Sequence, residues 1–597
     1  MKYLQMVRKW ILSYVISILI LMLGIVILNL EPKILEVAVN YVQLERGIQN
    51  EPSSYDFITD IIFNLVSPLY DHGIGKVLVG IAGVYIATTF LRGITTFVAS
   101  SMIARTTENG IHSLRTKIFG HIQKLPVKCF ANGSKGNLIQ LLNQDISTIK
   151  SFFQNQIVSV VNVVGPLLFS FLMIGIVNIY CAMISICLMP LVIWWGGNVY
   201  RIEKRLYSKS MALSDILVET SRENLSAMRA IIALNTQAHE LKKFRMQNEM
   251  KRKSSMRFNK IVKKVYNTNE ILLSSQMTIS FIAAGIFALQ GYITFGQMLS
   301  FCLYSGMMAV PLSQIGPTFG HLARVNVSIK RVMEVASLKI ETDVEIDDFP
   351  VKPVLGKIEF RGVYFRYPNQ QKWSLENISF TINDGEKAAF IGRSGSGKST
   401  IFNLLLRFYE QTQGDILIDD RHIETYSKAL LRNKFGYSLQ QPVLFSNTLR
   451  ENIAFGTYVD EEQFQRMVSI CNMDPMRTEL PAGLDTIMGE KGISLSGGQR
   501  QRASLARTLI RKPDVLILDN VNASLDSSTE RKVFDNIFLE FNRNTIMIST
   551  HRLNLVKRMD KIFVLRNGLL IESGTPTELK EKSGYLNEVL NARLDLI

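Results

Sequence analysis

The sequence predicts two domains of different class: an all-α membrane domain with six spans and long cytoplasmic helical extensions, then an α/β domain. Two observations favour this division. The chain has 597 residues, too many for a single hydrophobic core. Its long apolar stretches all lie in the first part, whereas short β-rich runs alternate with helical stretches in the second. We place the membrane domain at 1–330, a linker at 331–356 and the α/β domain at 357–597.

Six stretches of the first domain are long and apolar enough to cross about 30 Å of hydrocarbon, which takes about 20 helical residues. They lie at 10–30, 77–104, 157–178, 181–199, 271–289 and 298–317. The first stretch follows Lys2, Arg8 and Lys9, as a signal peptide would. It is longer than a typical signal-peptide core and lacks a small-residue cleavage site at its end, which favours a retained anchor.

Charge in the connecting segments predicts the orientation of the spans. The chain carries 67 basic and 51 acidic residues, a net charge of +16, and the excess lies in the apolar half. The segments after spans two and four are basic, whereas the loop over 31–75 is acidic. Basic loops stay in the cytoplasm, so both termini and the α/β domain are predicted to be cytoplasmic. This distribution favours a multi-pass protein of a bacterial cytoplasmic membrane, surrounded by membrane lipid, over a nucleic-acid-binding protein.

The connecting segments also predict secondary structure. Within the acidic outer loop, 58–69 is apolar enough for a short helix on the bilayer surface. The two basic segments keep helical periodicity, so the spans are predicted to continue into the cytosol, with each pair of helices closed by a short crossing helix. We place these breaks at 133–136 and 219–228. The alternative is a pair of solvated charged hairpins without a partner.

The second domain opens on an acidic, proline-containing linker and then shows the pattern of a largely parallel sheet. Its predicted strands are 358–360, 388–391, 515–518, 545–548 and 561–565. A glycine-rich loop follows the second of these and matches G-x-x-x-x-G-K-[ST], the loop that cradles nucleotide phosphates at a helix N-terminus. The loop consists of Gly392, Arg393, Ser394, Gly395, Ser396, Gly397, Lys398, Ser399 and Thr400. It predicts binding of ATP with Mg²⁺.

Other residues are assigned to the same site by their position. Lys398 is predicted to reach the β- and γ-phosphates, and Ser399 to ligate Mg²⁺. Asp519 ends an apolar strand and suits a second metal contact. Tyr367 is a candidate to stack on adenine, and His551, after another strand, to contact the γ-phosphate. Taken singly, each of the last three would be unremarkable.

With these residues in order, the chain resembles an ABC exporter half-transporter, six spans followed by one nucleotide-binding domain. The loop at 392–400 resembles Walker A, Tyr367 the A-loop aromatic residue, Gln440 the Q-loop glutamine and Asp519 the Walker B aspartate. Residues 486–492 resemble the X-loop and His551 the switch histidine. The ABC signature is matched by 495–499, which contains Ser496, Gly497, Gly498 and Gln499, and the D-loop by 523–526, which ends at Asp526.

The resemblance implies a dimer of two half-transporters. Each ATP would lie between the Walker A loop of one chain and the signature of the other, where Ser496 would meet the γ-phosphate. Gln440 would be a further Mg²⁺ ligand and would link the nucleotide to the crossing helices. Closure of the dimer would switch the cavity from inward-facing to outward-facing.

One position departs from the family pattern. Walker B in this family usually ends Asp-Glu, and the glutamate orients or deprotonates the attacking water, whereas this chain has Asp519-Asn520. An amide cannot take the proton, and general-base help is worth about 10²–10⁴-fold in rate. The following residues, 521–524, also differ from the usual Ala-Thr-Ser-Ala. The site is therefore predicted to hold ATP and to hydrolyse it poorly.

Three interpretations of this departure compete. The first, which we favour, is a heterodimer in which the chain's signature completes a competent site on a different half-transporter. The second is a homodimer carrying an introduced substitution that traps ATP. The third is an ATP-gated channel or regulatory module.

The cargo is predicted only by class. Aromatic and methionine residues of spans five and six could line a cavity for a hydrophobic small molecule, lipid or peptide, or could simply pack against helices or lipid. Charges within the spans are expected to be nearly absent apart from Arg92.

Overall fold

The structure, a computed structural model, describes residues 2–46, 57–66, 74–130, 138–187, 189–343, 356–368, 370–489, 495–522, 524–550, 552–581 and 584. The chain divides into two compact units. The first comprises Met1–Gln123 and Lys135–Leu338, and the second Lys124–Ser134 and Lys339–Ile597.

The first unit is entirely helical over its described residues. Its α-helices are α1 (Lys2–Leu28), α2 (Glu31–Glu45), α3 (Phe57–Val66), α4 (Ile74–Gln123), α5 (Ile146–Ser151), α6 (Ile157–Val177), α7 (Ile179–Ser185), α8 (Met189–Ser226), α9 (Met228–Ala233), α10 (Gln237–Leu289) and α11 (Phe295–Ser337). Within the described part, four helical stretches are long and apolar enough to cross a membrane: Ile11–Glu45, Ile74–Gln123, Leu138–Val177 and Glu270–Leu289. Four of the predicted spans, 10–30, 77–104, 157–178 and 271–289, overlap these stretches. The predicted span 298–317 lies on α11, and 181–199 is divided between α7 and α8.

The segment between the fourth and fifth predicted spans is helical, as predicted. Helices α8 and α10 form a long antiparallel pair, and the short helix α9 lies at its end. The interruption between α8 and α9, at Ala227, falls within the predicted turn 219–228. The other predicted break, 133–136, lies outside the described residues.

The first third of the predicted outer loop over 31–75 is helical. Two residues separate α1 from α2, which has Pro32 in its first turn, where proline costs no hydrogen bond. It packs against α4 and α11 and is largely buried. The short helix α3 falls on the predicted surface helix 58–69 and packs on α2.

Two ion pairs involve the charged residues of α2. Lys33 and Glu36 on α2 are 0% and 1% exposed, and Lys33 Nζ lies 3.0 Å from Glu36 Oε2. Glu31 lies 3.1 Å from Arg92 on α4. Glu31, Lys33 and Glu36 follow the first predicted span, 10–30, and Arg92 is the charge expected within the second, 77–104. Opposite charges that meet inside a helical bundle compensate one another.

Three hydrogen bonds join α2, and the turn before it, to one face of α11. The Tyr304 hydroxyl donates to the Asn29 carbonyl over 2.5 Å, and the Ser300 hydroxyl donates to Glu36 Oε2 over 2.7 Å. The Gly296 amide donates to Asn40 Oδ1 over 3.1 Å. The donors recur every four residues, which places them one above another on the helix. We call this set the α2–α11 ladder.

The second unit is an α/β structure with two sheets. Its strands are β1 (Ile358–Phe365), β2 (Leu375–Ile382), β3 (Lys387–Ile391), β4 (Gln413–Ile418), β5 (Arg421–His422), β6 (Phe435–Ser438), β7 (Val515–Asp519), β8 (Thr545–Ser549), β9 (Lys561–Arg566) and β10 (Leu569–Gly574). The larger sheet has the order β10-β9-β3-β8-β7-β6 and is parallel except at β10. The smaller sheet, β2-β1-β4-β5, is antiparallel and was not predicted.

Helices surround the parallel sheet, in which the neighbouring interior strands β7 and β8 are buried along their whole length. The helices are α12 (Lys398–Leu405), α13 (Lys428–Lys434), α14 (Leu449–Ala454), α15 (Glu461–Ile470), α16 (Met476–Glu479), α17 (Gly497–Leu509), α18 (Ser527–Glu540), α19 (Leu553–Val556) and α20 (Pro576–Glu581). The carboxyl ends of parallel strands meet at one edge, and β3, β7 and β8 end there beside one another. In parallel sheets this edge is where ligands bind.

Candidate active site

The glycine-rich loop connects β3 to α12 and has the conformation that its glycines allow. Gly392, Gly395 and Gly397 have φ values of 156°, 80° and 107°. A Cβ on Gly392 would lie 2.2 Å from the Leu565 carbonyl oxygen, so no other residue fits there without movement. The first residue of the loop therefore packs directly against β9, and the loop places the N-terminus of α12 at the edge of the sheet.

Lys398 bridges the loop from its first helical turn. Its Nζ donates to the Gly392 carbonyl over 2.7 Å and to the Arg393 carbonyl over 3.0 Å. The side chain is only 8% exposed. Burial lowers the pKa of Lys398, and the negative charge of Asp519 opposes that shift. A buried ammonium that faces a cleft is suited to an anionic ligand.

Asp519 and Asn520 occupy the end of β7. Asp519 is buried, and the Tyr437 hydroxyl donates to its Oδ2 over 3.4 Å. Burial, and then the charge of Asp519, raise the pKa of Tyr437, so the hydroxyl keeps its proton. Asn520 has a left-handed backbone conformation, φ 52°, and its backbone N–H donates to the Ser549 carbonyl over 3.0 Å. This bond holds the turn after β7 against the end of β8.

These elements enclose a cleft of about 530 Å³, within the size range of small-ligand sites. Tyr367 forms one wall, in edge-to-face contact with Phe365 and Tyr409 at 5.0 Å between ring centroids. Its hydroxyl lies 3.3 Å from Thr400 Oγ1 and accepts from Asn403 Nδ2 over 3.3 Å. The ring is thus held at the cleft in a fixed orientation.

The structure brings most of the predicted site residues together. The cleft is lined by Tyr367, Ser394, Gly395, Ser396, Gly397, Lys398, Ser399, Thr400, Gln440, Asp519 and Asn520. Gly392 and Arg393 contribute their carbonyls to Lys398 beneath it. His551 lies outside the described residues.

The predicted signature residues do not line this cleft. Ser496 caps helix α17, since its hydroxyl accepts from the Gln499 amide over 3.2 Å and Gln499 Oε1 accepts from the Ser496 amide over 2.9 Å. Gly498 packs so closely on the segment before α18 that a Cβ there would lie 2.9 Å from the Ser524 carbonyl oxygen. A Cβ on Gly497 would make ordinary contact with Ser524, at 3.6 Å.

Asp526 belongs to that neighbouring segment. Hydrogen bonds from the Ser528 hydroxyl and the Thr529 amide lower the pKa of this carboxyl, which caps α18. Signature and D-loop residues therefore form a second, separate surface in the described chain.

Several lining residues were not predicted. They are Gln370, Lys372, Trp373, Ser374, Ser549, Asn567 and Gly568. Asn567-Gly568 is the turn of the β9–β10 hairpin, a signal that the Asn-Gly pair carries in the sequence. Its position at the cleft could not be read from that signal, because it depends on the Gly568 amide donating to the Ser396 carbonyl over 3.1 Å.

Comparison with known proteins identifies the chain. A family model described as ABC transporter matches residues 375–523, and one described as ABC transporter transmembrane region matches 53–312. The ATP-dependent lipid A-core flippase of Escherichia coli (strain K12) is 31% identical over 543 residues, which cover 88% of this chain and 90% of the relative. The chain belongs to the ABC transporter family. It is an exporter-type half-transporter, with a membrane region fused to one ATP-binding region, and the predicted family resemblance is confirmed.

Other similar proteins agree with this assignment of the half-transporter. An uncharacterised ABC transporter ATP-binding protein of Bacillus subtilis (strain 168), YwjA, is 30% identical over 90% of this chain and 93% of its own length. A solved structure of a bacterial Atm1-family ABC exporter with ATP bound has a TM-score of 0.75 and covers 98% of both chains. At 21% identity it supports the fold alone. The predicted fold class, membrane helices followed by an α/β ATPase domain, is confirmed.

The cleft residues of this ABC half-transporter fit ATP and Mg²⁺. The buried Lys398 ammonium and the loop at the α12 N-terminus suit phosphates, and the Tyr367 ring suits a purine. Ser399, Gln440 and Asp519 present oxygen ligands to one cleft, the donor type that Mg²⁺ prefers. Bound there, the metal would neutralise phosphate charge, while the chain's own residues bind and orient the nucleotide.

Proposed function

We propose that this chain is the slowly hydrolysing half of a heterodimeric ABC exporter. Its own Walker site binds MgATP and retains it, while its signature completes a competent site on a different half-transporter. The nucleotide-binding unit lies in the cytoplasm, and ATP binding drives alternating access of the membrane domain.

The observation that carries the proposal is the side-chain amide of Asn520, which stands in place of a carboxylate. It lines the cleft one residue after Asp519, at the position where the family usually has a glutamate. The Asn520 amide can hydrogen-bond a water but cannot accept its proton. Without a general base, the rate falls by about 10²–10⁴-fold.

A homodimer that traps ATP is the second candidate. The ordered cap of the signature helix, with Ser496 and Gln499 in reciprocal hydrogen bonds, fits a signature that completes a site in either kind of dimer. A gated channel or regulatory module, in which binding alone is the output, is the third. Turnover of the purified chain with and without a co-expressed second half-transporter distinguishes the first two, and flux without turnover would favour the third.

The cargo is proposed to be hydrophobic or amphipathic. A relative at 31% identity over 90% of its length is a lipid A-core flippase, which favours a lipid over a small drug or peptide. The apolar, exposed helices of the membrane domain are compatible with such a cargo.

The decisive experiment restores the carboxylate. We expect N520E in the full-length chain, purified in lipid nanodiscs, to raise phosphate release from ATP by about 10²-fold. N520Q has the same length as the glutamate but remains an amide, and we expect it to leave the rate unchanged. The proposal fails if the native chain alone already turns over at the rate of N520E, or if N520Q accelerates the reaction equally.

A further inference from the structure

Asn522, two residues beyond Asn520, is buried in a polar cluster that the nucleotide cleft does not use. The side chain is 1% exposed, and its Nδ2 donates to Glu530 Oε1 over 2.6 Å and to Thr550 Oγ1 over 2.8 Å. Glu530, on α18, and Thr550, after β8, are themselves 7% and 0% exposed. One amide group therefore joins three segments of the chain.

Arg552 closes the cluster from the far side. Its Nη1 donates to Glu530 Oε2 over 2.6 Å, and its Nη2 donates to the Leu525 carbonyl over 2.6 Å. Its backbone amide donates to Thr550 Oγ1 over 3.1 Å. The residues on both sides of His551, Thr550 and Arg552, are thus tied to the turn that carries Asn520 and to the D-loop.

We propose that Asn522 is a positioning residue that fixes Thr550 and Arg552 relative to the turn after β7, and so slows the loss of nucleotide from the cleft that Asn520 and Ser549 line. The inference rests on the proposed function of that cleft as an ATP-holding site. It adds a residue outside the cleft that holds two of its neighbouring segments together.

The chemistry of the cluster requires an amide at 522. Glu530 offers one oxygen to Arg552 and one to Asn522, and the latter oxygen needs a donor. The Thr550 hydroxyl oxygen accepts from both Asn522 and the Arg552 amide. Threonine is usual at this position in the family. Its hydroxyl has a single proton, so it cannot donate to Glu530 and to Thr550 at the same time. A carboxylate would face Glu530 and repel it.

The test uses this difference between an amide and a carboxylate. We measure release of adenylyl imidodiphosphate, a non-hydrolysable ATP analogue, from the full-length chain in nanodiscs with Mg²⁺. N522D is isosteric but places a second carboxylate against Glu530, and we expect release to become about tenfold faster, as loss of a buried hydrogen bond to a charged group implies. In the double variant N522D/E530Q the side chain at 530 becomes the amide donor and the side chain at 522 the carboxylate acceptor. We expect this variant to restore the release rate to within about threefold of the native rate.

A matched control removes the same kind of hydrogen bonds elsewhere. Asn544 Nδ2 donates to the Pro513 and Asp514 carbonyls over 2.8 and 3.2 Å, and Asn544 does not line the nucleotide cleft. We expect N544D to lower the melting temperature without accelerating release. The inference is overturned if N522D releases the analogue at the native rate, if N544D accelerates it equally, or if E530Q does not rescue N522D. Because the analogue is not hydrolysed, none of these outcomes depends on whether Asn520 slows catalysis.

Discussion

At the scale of single residues, the backbone at Asn520 matters as much as its side chain. Its φ of 52° lies in the left-handed region, which asparagine tolerates better than most residues. Glutamate or glutamine would be strained there by about 1 kcal/mol. Because N520E and N520Q share this cost, the difference between their hydrolysis rates reports on the carboxylate alone.

The opening glycine of the phosphate loop is predicted to be irreplaceable. In G392A the new methyl group would meet the Leu565 carbonyl and the Ser396 hydroxyl, at 2.2 and 2.6 Å from an ideal Cβ. We expect this variant to lose about 3 kcal/mol of stability and its affinity for ATP. Thermal unfolding without nucleotide, and ATP binding by equilibrium titration, measure the two effects.

G395A is the matched control for G392A. Gly395 also has a positive φ, 80°, but a Cβ there meets nothing within 4 Å. We therefore expect only the conformational cost, about 1 kcal/mol. Equal melting temperatures for the two variants would contradict the crowding argument.

Much of the site was predictable at this scale, because the residues proposed to bind phosphate lie in one continuous loop of fixed spacing. Asp519 was predictable because an apolar run of strand length ends on it. Trp373 and Asn567 were not, since they reach the cleft only through the folding of the antiparallel sheet and a hairpin. The Asn522 cluster was not either, since it joins three segments that are distant in the sequence. No local pattern encodes those contacts.

At the scale of elements, Glu36 of the α2–α11 ladder is expected to stabilise the packing of α2 against α11. Glu36 is buried, pairs with Lys33 and accepts from Ser300. We expect E36A to destabilise the membrane domain by about 3 kcal/mol, because removing one member of a buried pair leaves the other charge poorly compensated. Thermal unfolding in detergent measures this loss.

Glu45 provides the control on the same helix. It is exposed at the end of α2, so E45A should change the stability by no more than about 0.5 kcal/mol. If E36A and E45A unfold at the same temperature, the ladder does not stabilise the bundle.

In the segment after α11, Glu341 forms ion pairs with two basic residues of α13. Glu341 accepts from Arg432 Nη1 and Nη2 over 2.7 and 2.9 Å, and Lys428 Nζ lies 3.3 Å away. The hydrogen bonds from Arg432 lower the pKa of Glu341. Its contribution to stability is therefore present above the unfolded pKa, about 4.3, and is lost as the pH falls through the lower folded value.

The corresponding prediction concerns E341Q. We expect it to lower the stability of the second unit by about 1 kcal/mol at pH 7, and the difference from the native chain to shrink as the pH falls below about 4. Unfolding curves at several pH values measure this. E376Q, at an exposed glutamate on β2, is the control and should show no such convergence.

Sequence patterns predicted where the helices lie along the chain but not which of their charged residues are buried. Hydropathy placed the spans because long apolar runs need no tertiary information. The same approach placed Glu31, Lys33 and Glu36 in an outer loop and did not predict that Lys33 and Glu36 form a buried ion pair. Hydropathy scores each residue separately and contains no information on pairing.

At the scale of the whole molecule, the distribution of basic residues predicts which ends of the helices face the cytoplasm. Ser208, on α8, is exposed in a basic segment, and Tyr292, between α10 and α11, is 68% exposed in the opposite turn. In a background with the five native cysteines replaced, we expect a membrane-impermeant maleimide to label Y292C in intact cells.

Under the same conditions, S208C should react only after the cells are opened. Y292C provides the internal comparison, because both positions are exposed to solvent in the described chain. Labelling of S208C in intact cells would reverse the proposed orientation and would place the nucleotide-binding unit on the wrong side for ATP.

Trp373, in the wall of the cleft beside Tyr367, has one further consequence. The chain has four tryptophans, and the other three, Trp10, Trp194 and Trp195, lie in the first two-fifths of the chain, within predicted spans. The indole at the cleft is therefore the ATP-binding unit's own fluorophore. Its emission gives an optical signal of occupancy in the unlabelled chain, against a background from indoles far away in the sequence.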